Sequence, residues 1–165
     1  MPRTAGALVT VAEWWVRRPR AVRAAAPFAC MAFLWWSSSR TLAVEAPNRL
    51  RELLHNGAHI IAFGGLAAGW WLALTRAPLA TPQPGRGWVA CALAVGYGVV
   101  DELHQSMVPG RVCSVADLMS DASGAGLALA LLLAAFGKLR SPYWTLAALV
   151  LASVLSVLLA TFGPW

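Results

Sequence analysis

Apolar residues run along this chain in five blocks, separated by short clusters where arginine, proline, glycine and carboxylates gather. A helix that crosses the hydrocarbon core of a bilayer needs about 20 predominantly apolar residues. Blocks near residues 24–40, 53–74, 88–108, 114–136 and 142–162 reach or approach that length, so the pattern predicts an all-α, polytopic transmembrane helical bundle of about five spans. The first is the shortest, running from Ala24 through Phe28 and Leu34 to Trp36 and closing in Ser37, Ser38, Ser39 and Arg40. Pro47 interrupts the connection to the second span, and the Pro- and Gly-rich stretch 76–87 is a loop, because proline cannot continue a helix. Within the second span, Gly57, Gly64, Gly65 and Gly69 fall at spacings that let a neighbouring helix approach closely. Pro109-Gly110 makes the turn between the third and fourth spans. Ser114-Val-Ala-Asp117 has the form of a capping box at the start of the fourth. Lys138 and Arg140 close that helix, and Ser141-Pro142 opens the fifth as an N-cap and first-turn pair.

Composition supports the membrane reading. The 165 residues are 59% hydrophobic and 12% charged, with a mean hydropathy of +0.62, too apolar for an ordinary soluble domain. A net charge of +6 raises the question of nucleic acid, but the arginines stand at span ends and in connections, where they set topology; no nucleic-acid partner is expected. Residues 1–23 form a basic segment with five arginines, Arg3, Arg17, Arg18, Arg20 and Arg23. Its apolar part, 5–16, is too short to span, and no clean small-residue cleavage site favours a signal peptide. With the N-terminus in the cytoplasm, nine of the thirteen basic residues lie inside, so the positive-inside rule predicts a multi-pass protein of the cell membrane with its C-terminus outside. Cys30, Cys91 and Cys113 are widely spaced and odd in number, which supports neither a disulfide framework nor a zinc knuckle.

One stretch departs from the pattern. Residues 101–121 hold four of the seven carboxylates, Asp101, Glu102, Asp117 and Asp121, together with His104, Gln105 and Arg111. Ionisable groups near hydrocarbon are costly and mark a site. At a rise of about 1.5 Å per residue, Asp101 lies roughly 12 Å below Pro109 on one helix and Asp121 roughly 10 Å below Ser114 on the next. His55 and His59, an i, i+4 pair, begin the second span at the same end, where Ser38, Ser39 and Arg40 close the first. Four helices therefore bring polar residues to one membrane face, the outer one in the predicted orientation. Asp101, His104 and Gln105 share one face of the third helix, while Glu102 is offset by about 100°. One acid is thus expected to face the fourth helix and Arg111, and the other His59.

Each feature also has a plainer reading: Ser114 and Asp117 capping their own helix, His55 resting at the water interface, Arg111 solvated in its turn. Asp121, one turn deeper than Asp117, has no free amides to satisfy. As a pocket, the cluster admits four uses. Acid–base chemistry would fall to Asp101 or Glu102 with His104, with Asp117 in the same unit. Gln105, Arg111, His59, Ser114 and Asp121 would then hold substrate. Zinc would recruit His59, His104 and carboxylates, but the HExxH pattern is absent, and no metal or other cofactor is expected. A proton relay would use the same acids, and a structural network would neutralise them.

The run Asp101-Glu102-Leu103-His104-Gln105, followed by Val108-Pro109-Gly110-Arg111, Ser114, Asp117 and Gly124, resembles the signature of the VanZ-like membrane proteins, named for a protein linked to teicoplanin resistance. The likeness extends to Ser38-Ser39, His59 and Phe63 and covers about residues 24–136, leaving 137–165 as an additional C-terminal transmembrane helix on a four-helix core. Two departures stand out. His55-Asn56 replaces the family's usual Asp-Lys pair, and Asp121 stands where Asn is usual. The resemblance implies a bacterial cell-envelope protein whose polar pocket binds or processes an envelope or lipid-linked molecule, with a bearing on glycopeptide resistance. Its expected partners are membrane lipids, a lipid-linked or cell-wall precursor, or a glycopeptide. A proton-coupled transporter of small molecules or lipids and a non-catalytic membrane scaffold are the alternatives.

Overall fold

A computed structural model describes residues 3–40, 48–79, 84–111, 113–136, 139 and 141–163. Six helices follow in order: α1 (Arg3–Val16), α2 (Arg20–Ser38), α3 (Arg49–Leu74), α4 (Pro84–Gln105), α5 (Val115–Ala135) and α6 (Pro142–Phe162), with no strand among the described residues. The protein is an all-helical bundle. Among the described residues three helices, α3, α5 and α6, are long and apolar enough to cross a membrane. Of the five expected spans, the two in α2 and α4 fall short of that mark, lowered by Arg20 and Arg23 at the start of α2 and by Asp101, Glu102, His104 and Gln105 at the end of α4.

Several helices begin before their expected starts, for reasons that are local and chemical. Asn48 caps α3 by accepting from the N–H groups of Leu50 and Arg51 at 3.0 and 3.2 Å, which moves the start from 53 back to Arg49. Pro19, with φ −52°, precedes α2, so part of the basic segment assigned to 1–23 is helical. Pro84 opens α4 as a first-turn proline, a position where its missing N–H is not needed. At its other end α4 stops at Gln105, short of the expected 108. Met107 and Val108 donate to the carbonyls of His104 and Gln105, a tightened i to i−3 turn, because Pro109 keeps the residue before it out of the α region and Gly110 turns the chain at φ 81°. Ser141 precedes Pro142 as expected but makes no side-chain cap bond. The expectations for Pro47, Lys138 and Arg140 lie outside the described residues.

The central helix is α3, which packs against α5, α4, α2 and α6. Phe63, Leu66 and Ala67 of α3 meet Ala94 and Tyr97 of α4 and Ala125 of α5 in the main core. The α3–α5 seam is unusually tight: a Cβ on Gly124 would lie 2.7 Å from Ile60 Cα, and one on Gly64 3.1 Å from the Gly124 carbonyl oxygen. Of the four glycines expected to admit a neighbour, Gly64 and Gly69 do so, Gly69 against Pro27. A Cβ on Gly57 or Gly65 would meet nothing within 4 Å.

Two polar devices tie the ends of the bundle. Arg23 donates to the carbonyls of Leu72 and Thr75, and Arg86 to that of Leu74. Arginines expected to set topology thus also satisfy carbonyls at the C-terminal end of α3, which has no further turn to bond them. At the opposite end, Asn56 donates to Thr161 Oγ1 at 3.0 Å, and Ser120 donates to Ser156 Oγ at 3.2 Å, fastening α6 to α3 and α5.

Candidate functional site

His59 and Asp121 form the deepest polar contact. His59 Nδ1 lies 2.8 Å from Asp121 Oδ1, with the histidine 8% and the aspartate 0% exposed. This contact depends on α3 and α5 lying almost backbone to backbone at Ile60 and Gly124, one residue beyond His59 and three beyond Asp121. The second oxygen, Asp121 Oδ2, would lie 2.7 Å from a Cβ on Gly98, so only a residue without a side chain leaves room for it. That oxygen is buried without a hydrogen-bond partner.

The C-terminal turns of α4 divide their polar residues by helix face. Asp101 Oδ2 accepts from Gln105 Nε2 at 3.0 Å, an i, i+4 bond along one face; Asp101 Oδ1 is buried with no partner. Glu102 turns to α5, where its Oε2 accepts the backbone N–H of Ser114 at 2.7 Å. Ser114 Oγ in turn accepts from Asp117 N at 3.2 Å. The capping box is therefore completed by a carboxylate from another helix rather than by Asp117. His104 leaves this group altogether. Its ring stacks on Trp35, centroids 3.7 Å apart, and its Nε2 lies 2.9 Å from Ser39 Oγ.

Arg111 follows the Pro109-Gly110 turn and reaches back to the end of α2, donating to the carbonyls of Ser37 and Arg40 at 3.3 and 3.4 Å. These bonds correct the expectation that Arg111 pairs with a carboxylate: its hydrogen bonds are to backbone oxygens. Beside it opens a cavity of about 160 Å³ between α2, α3 and α4. Its lining is apolar at Phe33, Leu34, Ala58, Ala62 and Phe63 and polar at Ser37, Ser38, His55, His59, Asp101, Gln105 and Arg111.

In its hydrogen bonds the expected single unit is thus two. His59, Asp101, Gln105 and Arg111 share the cavity, with Asp121 behind His59. Glu102, Ser114 and Asp117 make a separate network at the α4–α5 seam. Of the expectation for the two acids, Glu102 does face α5 and Asp101 does share a space with His59, but Arg111 lies on the Asp101 side. His55 is exposed and also lines the cavity; its i, i+4 spacing from His59 is the sequence signal for that. Phe33 and Leu34 were missed because nothing in an apolar run distinguishes wall from filler. His59 and His104, the imidazoles a zinc ion would draw on, are held by different neighbours, and among the described residues no three potential ligands converge. Outside the helices, the exposed Cys113 thiol is raised above its ordinary value by local desolvation and by the Glu102 carboxylate.

Three helices long and apolar enough to cross a bilayer, packed around a buried histidine–carboxylate pair, mark the class as a membrane protein. The family model described as VanZ/LLP1 matches residues 16–137, and the chain belongs to that family. No curated protein and no solved structure matches it.

Proposed function

We propose that this VanZ/LLP1 protein binds the polar headgroup of an envelope lipid or lipid-linked molecule in the cavity between α2, α3 and α4, at the outer face of the cell membrane. The observation that carries this reading is the make-up of the cavity wall, where an arginine, an aspartate and two histidines are joined by phenylalanine and leucine. Such a wall suits an amphiphile whose charged end enters while its apolar part stays in the bilayer. The volume of about 160 Å³ is well below the roughly 300–1,000 Å³ of sites that enclose drug-sized ligands, so the occupant is a headgroup and not a glycopeptide. Native mass spectrometry of the purified protein tests this. A co-purifying lipid that is lost in Arg111→Ala supports the reading, and a protein that carries no lipid and takes up none refutes it. A bearing on glycopeptide resistance would appear as changed susceptibility of cells carrying the same variant.

Proton coupling is the second reading, favoured by the contact between His59, on the wall of the same cavity, and Asp121 behind it. A buried histidine–carboxylate pair stores a proton at a site that also meets the ligand. Transport of a substrate into vesicles that depends on a pH gradient, and fails in Asp121→Asn, would separate this reading from simple binding.

A further inference from the structure

Among the charged side chains of the cavity wall, two of opposite sign face the same space without pairing. Asp101 is 3% exposed; Gln105 holds its Oδ2, and its Oδ1 is buried with no partner. A buried carboxylate oxygen left unpaired is costly, and Asp101 is one of the residues that line the cavity. Arg111 spends two donors on long bonds to backbone carbonyls, which leaves the rest of its planar fork for an anion. No ion pair joins Asp101 to Arg111 among the described residues. The other acid near the wall, Asp121, has His59 as its partner.

We infer that the cavity is a receptor for a zwitterionic aminophosphate headgroup of the phosphatidylethanolamine type, with the ammonium on the Asp101 carboxylate and the phosphate on Arg111. The inference rests on the headgroup-binding reading above and adds the chemistry of the headgroup. A ligand carrying one charge of each sign, in the order opposite to the wall, satisfies both residues at once; an anionic lipid leaves Asp101 unpaired and adds repulsion. A primary ammonium also donates N–H to a carboxylate, which a quaternary one cannot. Size agrees, since a phosphate joined to a two-carbon amine is among the smallest lipid headgroups. A membrane-borne source is favoured over a soluble one because Phe33 of the cavity wall is 60% exposed on the outer surface of α2, an apolar lip for acyl chains.

The test is binding of short-chain phosphatidylethanolamine, phosphatidylcholine and phosphatidylglycerol to the full chain in detergent, followed by native mass spectrometry. One charge-assisted hydrogen bond corresponds to roughly tenfold or more in affinity, so wild type should prefer the ethanolamine lipid by at least about tenfold. Asp101→Asn should bring that lipid down to the choline level, while Arg111→Ala weakens all three. Equal binding of the three lipids to wild type, which needs no variant, overturns the amine assignment and leaves headgroup binding standing. Absence of binding for all three overturns both. Free phosphoethanolamine competing as well as the lipid overturns the membrane-borne source.

Discussion

Glu102 Oε2 on α4 accepts the backbone N–H of Ser114 at 2.7 Å, so the first orphan amide of α5 is satisfied by the helix before it. This bond joins the two helices across the Pro109-Gly110 turn and fixes the depth at which Asp117 and Asp121 stand. Glu102→Ala should destabilise the protein by about 1–3 kcal/mol, the usual cost of a buried donor left unpaired. Glu102→Gln keeps an acceptor oxygen and should cost distinctly less. Reversible unfolding in mixed micelles would check the order; an equal loss for both would mean that charge, not the bond to Ser114, matters.

Gly124 and Gly65 should respond in opposite senses to alanine. At Gly124 the new methyl meets the backbone of Ile60, which cannot move without separating α3 from α5, so the expected loss is at the upper end of overpacking, about 3 kcal/mol. At Gly65 the methyl enters open space, and the helix should gain up to about 1 kcal/mol. Thermal midpoints of the two variants in one detergent decide the point.

Arg111 and Asp101 share a cavity wall, whereas Glu102 belongs to the α4–α5 seam. Losses of lipid binding from Arg111→Ala and Asp101→Asn should therefore be non-additive, and those from Arg111→Ala and Glu102→Gln should add. A double-mutant cycle on each pair measures this. Non-additivity in the second pair would restore a single unit spanning both networks.

Cys113 offers a pH-dependent readout of Glu102. Local desolvation and the neighbouring carboxylate disfavour the thiolate and hold the thiol above its usual value, so maleimide labelling should rise with pH later than for a free thiol. Removing the negative charge in Glu102→Gln lowers the thiol's pKa, and labelling near neutral pH should become faster. Unchanged rates would mean that Glu102 does not act on Cys113. Labelling of intact cells in the same experiment reports which membrane face carries the α4–α5 turn.

Replacing Asp121 separates charge from shape. Asp121→Ala leaves the buried His59 ring without its partner and should cost about 3–5 kcal/mol if the pair is ionic, or about 1–3 kcal/mol if it is a neutral hydrogen bond. Asp121→Asn retains an oxygen for His59 Nδ1 and should be milder in stability. Chemical unfolding of the two variants side by side distinguishes the cases.

By itself the sequence determined whatever depends on a single helix. Apolar block lengths foretold the helical bundle, the i, i+4 spacing put Asp101 and Gln105 in contact, the 100° offset turned Glu102 away from them, and Ser114 was readable as a cap. The DELHQ, PGR and SxxD order also carried the family. Tertiary structure alone decided which residues meet across helices: His59 with Asp121, Glu102 with Ser114 N–H, His104 with Trp35 and Ser39, Arg111 with the carbonyls of Ser37 and Arg40. Such pairings depend on the rotation and depth of one helix against another. Those are set by close backbone contacts such as Ile60 against Gly124, which leave no signature beyond a glycine in an apolar run. The early starts of α3 and α4 have the same lesson on a smaller scale, since Asn48 and Pro84 begin helices through local backbone chemistry that apolar block lengths do not register.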